Sequence, residues 1–129
     1  MTLKFLELSN DGQKSWRGKG VENDKQSQIK NAFLHAWKGY KTYALGHDML
    51  KPISRRWEDW FSKGQDLMGL TLIDSLDVMV IMGLDEEFEF AKNWVKETMS
   101  LAPQNPRINL FECTIRVLGG FLSTYYLTG

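Results

Sequence analysis

One cysteine, Cys113, three prolines and two histidines are all that the 129 residues hold of those types. A single thiol excludes an internal disulfide and any cysteine-based zinc cluster. His35 and His47 have no metal-ligand spacing with each other or with Cys113. A helix-surface position for His35 and a loop position with backbone hydrogen bonds for His47 are the expected readings. Net charge is also lacking, because 16 Lys and Arg balance 16 Asp and Glu. No global field therefore draws the chain to nucleic acid or to an anionic membrane. No run approaches the roughly 18 apolar residues of a membrane span, and Glu7, Asp11 and Lys14 fall where a signal peptide needs an apolar core. Phosphate-cradling glycine loops, nucleophile elbows and His-Glu-x-x-His zinc runs are missing too. Cys113 has no histidine at a spacing that would activate a thiol nucleophile.

What is present points to a packed globular chain of one domain: 43% hydrophobic residues and five Trp are too many for disorder. Residues 1–25 read as an irregular lead-in, polar apart from Leu3, Phe5, Leu6 and Leu8. From Gln26 onward Ile29, Phe33, Ala36, Trp37, Tyr40 and Ala44 recur at helical spacing, which predicts an amphipathic helix. A long connection, Gly46 to Gly69, follows with Pro52, Gly64, Trp57, Trp60 and Phe61. Leu70 to Leu84 is apolar around most of its circumference and predicts a buried helix. Asp85, Glu86 and Glu87 open a third helix with acids at its positive end and Lys92 and Lys96 near its negative end. Pro103 and Pro106 punctuate the next link, and Asn109 caps a fourth, strongly apolar helix. The fold class expected is all-α, about four helices alternating outer and inner. Stacked helical hairpins produce that alternation, and a four-helix bundle is compatible with it.

The fourth helix carries Glu112 and Arg116 four residues apart in otherwise apolar surroundings, where charge is costly unless paired or used. Asn109 and Glu112 have the spacing of a capping box, and Glu112 and Arg116 that of a favourable helical ion pair. The alternative is a general acid, since a carboxyl group in an apolar cavity holds its proton more tightly. Asp74 and Asp77 lie on one face of the second helix; they are backbone-bonding groups or a pair that positions a water, a cation or a shared proton. Trp57, Trp60 and Phe61 read as core, with a stacking surface for sugar rings as the alternative. Gly119 and Gly120 each cost about 1 kcal/mol relative to Ala in mid-helix, and so imply a close helix contact.

Three blocks, in order, resemble the class I α-1,2-mannosidases of glycoside hydrolase family 47. They are Ala32 to Tyr40 with Gly46-His-Asp-Met-Leu-Lys-Pro-Ile-Ser54, Gly69 to Asp77 with Ile81-Met-Gly-Leu84, and the Asn109 helix with its N-x-F-E-x-x-I-R-x-L-G-G wording. The second half of the first block looks most like the endoplasmic-reticulum type. The resemblance implies that residues 26–129 are the N-terminal part of an (α/α)7 barrel. It also implies inverting hydrolysis of terminal α-1,2-linked mannose from high-mannose N-glycans, with a bound calcium ion, in the endoplasmic reticulum or Golgi lumen. By position the resemblance implies Glu112 and Asp74 as catalytic residues, Glu112 matching the catalytic acid and Asp74 an acidic residue of the inner helix, and Arg116 as a substrate-binding arginine that contacts sugar near the cleavage point. Inversion needs a second carboxylate about 6.5–9.5 Å from the acid to activate water. The family's other acids, its calcium-ligating Thr and its membrane anchor match nothing in this chain. The competing reading is a non-catalytic helical remnant, or a module that binds glycan or a protein partner.

A closed barrel would give the fourth helix neighbours on both sides, so either the Leu110, Val117, Phe121 and Tyr125 face or its opposite is expected to lack partners. The 129-residue chain on its own should therefore associate or be molten, release no mannose, and show no calcium-dependent rise in Tm. Light scattering, a mannose-release assay and melts with and without calcium check this. A monodisperse, active chain is the contrary result.

Overall fold

The computed structural model describes residues 23–61, 67–99 and 109–129. Most of the expected lead-in and the link through Pro103 and Pro106 lie outside the described residues. In chain order the elements are α1 (Asp24–Tyr43), β1 (Met49–Lys51), β2 (Arg56–Glu58), α2 (Leu70–Ile81) and α3 (Asp85–Thr98). A fourth helix is built from α4 (Leu110–Glu112), a π-helical segment (Cys113–Leu118) and α5 (Gly119–Thr128). The all-α expectation holds, with one small hairpin added.

Helix α1 begins at Asp24, earlier than the apolar pattern, because Asn23 supplies the cap. Its side chain accepts from the Gln26 N–H at 2.9 Å and the Gln26 side chain accepts from the Asn23 N–H at 2.8 Å, a complete capping box. Trp37, Tyr40 and Ala44 are buried on the inner face, while Ile29 and Ala36, also assigned to that face by spacing, are exposed. Among the described residues, α1 meets the core from Phe33 onward. The Trp37 indole N–H and the Lys41 ammonium donate to the same Glu87 oxygen, at 2.7 and 2.8 Å, and tie α1 to α3.

The long connection after α1 contains a hairpin. Met49, Leu50 and Lys51 pair antiparallel with Glu58, Trp57 and Arg56, and Lys51 bridges Glu58 at 2.8 Å. Strands of three residues are too short for a period of two to register in sequence. The hairpin base is pinned to the start of α2. Gly69 N–H donates to Gly46 C=O, and both the Thr71 N–H and its hydroxyl donate to Asp48 C=O.

Helix α2 is the central element. Leu72, Leu76 and Met79 pack with Trp37, Tyr40, Ala44, Leu84 and Ala91 in one core cluster. Leu70 and Ile73 join Phe61, Met68 and Val117 in a second. Burial on both sides explains its nearly all-apolar sequence. It ends in a Schellman pair: the Leu84 N–H reaches Met79 C=O and the Gly83 N–H reaches Val80 C=O, with Gly83 at φ 64°.

The fourth helix crosses α2 at Gly120, where an added Cβ would lie 3.1 Å from Ile73 Cγ2 and 3.2 Å from Ile73 O. That accounts for Gly120 in mid-helix; Gly119 has no comparable neighbour beyond its own helix. Val117 faces the core, and Phe121 is partly buried there. Phe111, Ile115, Leu118, Leu122 and Tyr126 are exposed on the other side, and Leu110 and Tyr125 are exposed as well, so of the face named by spacing only Val117 and Phe121 pack into the core.

Glu87 carries a pH consequence. Burial favours its neutral form, but hydrogen bonds from Lys41 and Trp37 and the Lys41 charge outweigh burial and hold the carboxyl below its usual value. A lowered folded pKa stabilises the fold above the unfolded value, about 4.3, and that contribution disappears as pH falls through the folded value. Glu87→Gln should therefore lower Tm at neutral pH and leave it nearly unchanged at pH 3. Thermal melts at the two pH values read this; equal losses at both would show that the charge is immaterial.

Candidate active site

Asn109 caps the fourth helix by accepting from the Glu112 N–H at 3.2 Å, the first half of the expected box. The Glu112 carboxylate turns along the helix and accepts from Arg116 Nε at 2.6 Å. The favourable ion-pair spacing is therefore realised. Arg116 Nη1 donates in turn to Asp74 Oδ2 on α2, at 2.7 Å. One guanidinium thus joins two carboxylates that are far apart in sequence, and bonds to the two carboxylates, Glu112 foremost, push its pKa up from an already high value. Arg116 cannot leave its charged state here.

The cluster lies at the molecular surface rather than in an apolar cavity. Arg116, Asp74 and Glu112 side chains retain 40%, 32% and 23% of their exposure, so water screens the pairing and its value for stability is small. The same exposure leaves the group accessible to a polyhydroxylated ligand. An ion-paired Glu112 corrects the expectation of a carboxyl group desolvated by apolar neighbours. The π-helical segment from Cys113 to Leu118 contains Arg116. Such wide turns inside α-helices are frequent at functional sites.

Asp74 and Asp77 do not act as a pair. Asp74 binds Arg116, whereas Asp77 Oδ2 accepts from the Ser123 hydroxyl on α5 at 2.7 Å. Two different donors from the fourth helix separate their roles. Among the described residues no group of three or more His, Cys, Asp or Glu could hold a metal ion, and the two site carboxylates already share a cation in Arg116. The calcium expectation therefore finds no ligand set among them.

The contacts of Trp60 and of His47 with Asp59 and Trp57 are not reported by local spacing. The Trp60 ring lies under Arg116, with the guanidinium carbon 5.6 Å from its centroid. Trp60 and Trp57 are partly exposed, while Phe61 is buried, so the aromatic cluster is only one-third core. His47 is bonded to a side chain rather than to backbone: its Nδ1 lies 2.8 Å from Asp59 Oδ2, and its ring stacks on Trp57 at 4.5 Å. His35 is exposed on α1 as expected. Cys113 is half-buried against the second core cluster. The long separations of Trp60 and Asp74 from Arg116 leave no periodic signal in sequence.

The chain has clear relatives. The model of the family described as Glycosyl hydrolase family 47 matches residues 32–129. The endoplasmic reticulum mannosyl-oligosaccharide 1,2-alpha-mannosidase of Mus musculus is 50% identical over 128 residues, which cover 99% of this chain and 18% of the mouse protein. The protein of the same name from Schizosaccharomyces pombe is 41% identical over 104 residues, covering 81% of this chain and 19% of its own length. Among solved structures, the alpha-1,2-mannosidase from Trichoderma reesei is similar with a TM-score of 0.68 and 31% identity, over 82% of this chain and 22% of that one. The chain spans less than a fifth of the length of these two curated relatives.

Proposed function

The chain belongs to glycosyl hydrolase family 47, and on that premise we propose that it forms part of an enzyme that hydrolyses terminal α-1,2-linked mannose from high-mannose N-glycans with inversion. Relatives at 50% identity carry the name of an endoplasmic reticulum 1,2-alpha-mannosidase, which supports that substrate and the endoplasmic reticulum as its compartment. No described helix is long and apolar enough to cross a membrane. Calcium belongs to this reading as a family expectation, without a ligand assigned in this chain.

The observation that carries the reading is the Arg116 bridge between Glu112 and Asp74. Glu112 is assigned as the acid that protonates the leaving oxygen. Arg116 is assigned to the sugar hydroxyls next to the cleaved bond, since its planar fork has donors for more than one acceptor. Asp74 is assigned as an acidic site residue that orients Arg116. An ion-paired carboxylate only accepts hydrogen bonds. Proton delivery therefore requires that substrate hydroxyls take over part of the Arg116 fork while Glu112 is protonated. The departing sugar oxygen then receives that proton, and Glu112 returns to its pairing. Inversion requires a second carboxylate to activate water from the opposite side. The exposed apolar stripe from Phe111 to Tyr126 is the observation that favours the alternative, a helical module that binds a partner.

In an enzyme of the relatives' full length carrying this segment, Glu112→Gln keeps the size of the side chain and removes the proton. Turnover should fall by roughly 10²–10⁴ with much less change in substrate binding. Near-normal turnover would overturn the assignment. Arg116→Lys keeps charge and loses the fork, so it should lower kcat/KM. Unchanged kcat/KM with a lowered Tm would make the bridge purely structural.

A further inference from the structure

The backbone on both sides of Trp60 is held by a set of polar contacts that the assigned chemistry does not use. On the N-terminal side, Asp59 Oδ2 bonds His47 Nδ1 at 2.8 Å, and Asp59 Oδ1 accepts from the Asp48 N–H at 3.0 Å. On the C-terminal side, the Phe61 N–H donates to Asp48 Oδ2 at 2.8 Å. Asp48 is 2% exposed and Phe61 3%. His47 and Asp48 are themselves fixed from α1 and α2: the Tyr40 hydroxyl donates to His47 C=O at 2.7 Å, and the Thr71 hydroxyl donates to Asp48 C=O at 2.7 Å. Trp60 is thus a partly exposed ring carried between two anchored residues, and its face supports the Arg116 guanidinium.

From this arrangement we infer that His47, Asp48 and Asp59 are positioning residues for Arg116, acting through Trp60. The inference rests on the proposed role of Arg116 at the sugar. Two carboxylates fix the guanidinium at its Nε and Nη1 edges, but a planar group held only at its edges can still tilt. The ring of Trp60 restrains that tilt, and the His47–Asp59 and Asp48–Phe61 contacts keep the ring in place. An ionised carboxylate only accepts hydrogen bonds, so His47 donates from Nδ1 to Asp59. That fixes the edge of the imidazole, and its face stacks on Trp57. The hairpin thereby becomes part of the support of the site.

The test is a double-mutant cycle in an enzyme of the relatives' full length carrying this segment, with kcat/KM and Tm read for each variant. His47→Ala and Asp59→Asn should each lower kcat/KM by about 10- to 100-fold, the size expected when a positioned group is displaced by around 1 Å. His47→Asn keeps an amide donor near the place of Nδ1 and should recover most of that loss. In a Trp60→Leu background the same changes should lower Tm again yet leave kcat/KM within about 2-fold, because the element that transmits positioning is gone. Equal fractional losses of kcat/KM with and without Trp60 would overturn the inference, as would full efficiency in both His47→Ala and Asp59→Asn. Arg116→Lys is run alongside. If it is impaired while the cycle is additive, only the positioning role fails; if it is fully active, the sugar-contact role fails and the inference falls with it.

Discussion

A single guanidinium, Arg116, is the joint on which the site depends. It draws Glu112 from its own helix and Asp74 from α2 to the same cation, at 2.6 and 2.7 Å. Two carboxylates near each other repel, and a shared cation brings both to one place without burying either. The pairing is too exposed to contribute much to stability. Its value is geometric, because it fixes the relation between an acid on one helix and an acid on another.

That joint works only because α2 and the fourth helix lie close. Gly120 lets the helix backbone approach Ile73, where a methyl group would press on both its side chain and its carbonyl oxygen. Ile73 and Leu70 then fill one side of α2 with Val117 and Phe61, and Leu72, Leu76 and Met79 fill the other. Each fully buried side chain of this kind contributes about 1.5–3 kcal/mol. The apolar packing therefore sets the spacing, and the polar bridge uses it. The wide turn between Cys113 and Leu118 precedes the crossing at Gly120, and within it Arg116 reaches Asp74 while Val117 faces the core.

Much of this was readable in the sequence where the signal is local. The Asn109 cap, the Glu112 to Arg116 spacing, the acid-rich start of α3 and the apolar run of α2 all follow from neighbours within one or two helical turns. The hairpin was not readable, since three-residue strands carry no usable alternation. Nor was the split of Asp74 and Asp77 between Arg116 and Ser123, which depends on how the fourth helix is rotated against α2. Trp60 and the His47–Asp59 contact depend on chain returning through a long connection, and no periodicity reports that. Ile29 and Ala36 show the converse: helical spacing marked an apolar face correctly, but a face is buried only where a neighbour reaches it.

The central proposal is that the Glu112–Arg116–Asp74 bridge is where the sugar is held and cleaved. A crystal structure of an enzyme of the relatives' full length carrying this segment, with an α-1,2-linked mannose disaccharide bound, tests it most directly. The expected result has an Arg116 N–H donating to a sugar hydroxyl beside the linkage, with the Glu112 carboxyl within hydrogen-bond reach of the glycosidic oxygen and Asp74 still bonded to Arg116. A disaccharide bound elsewhere, with the bridge closed and untouched by sugar, would contradict it.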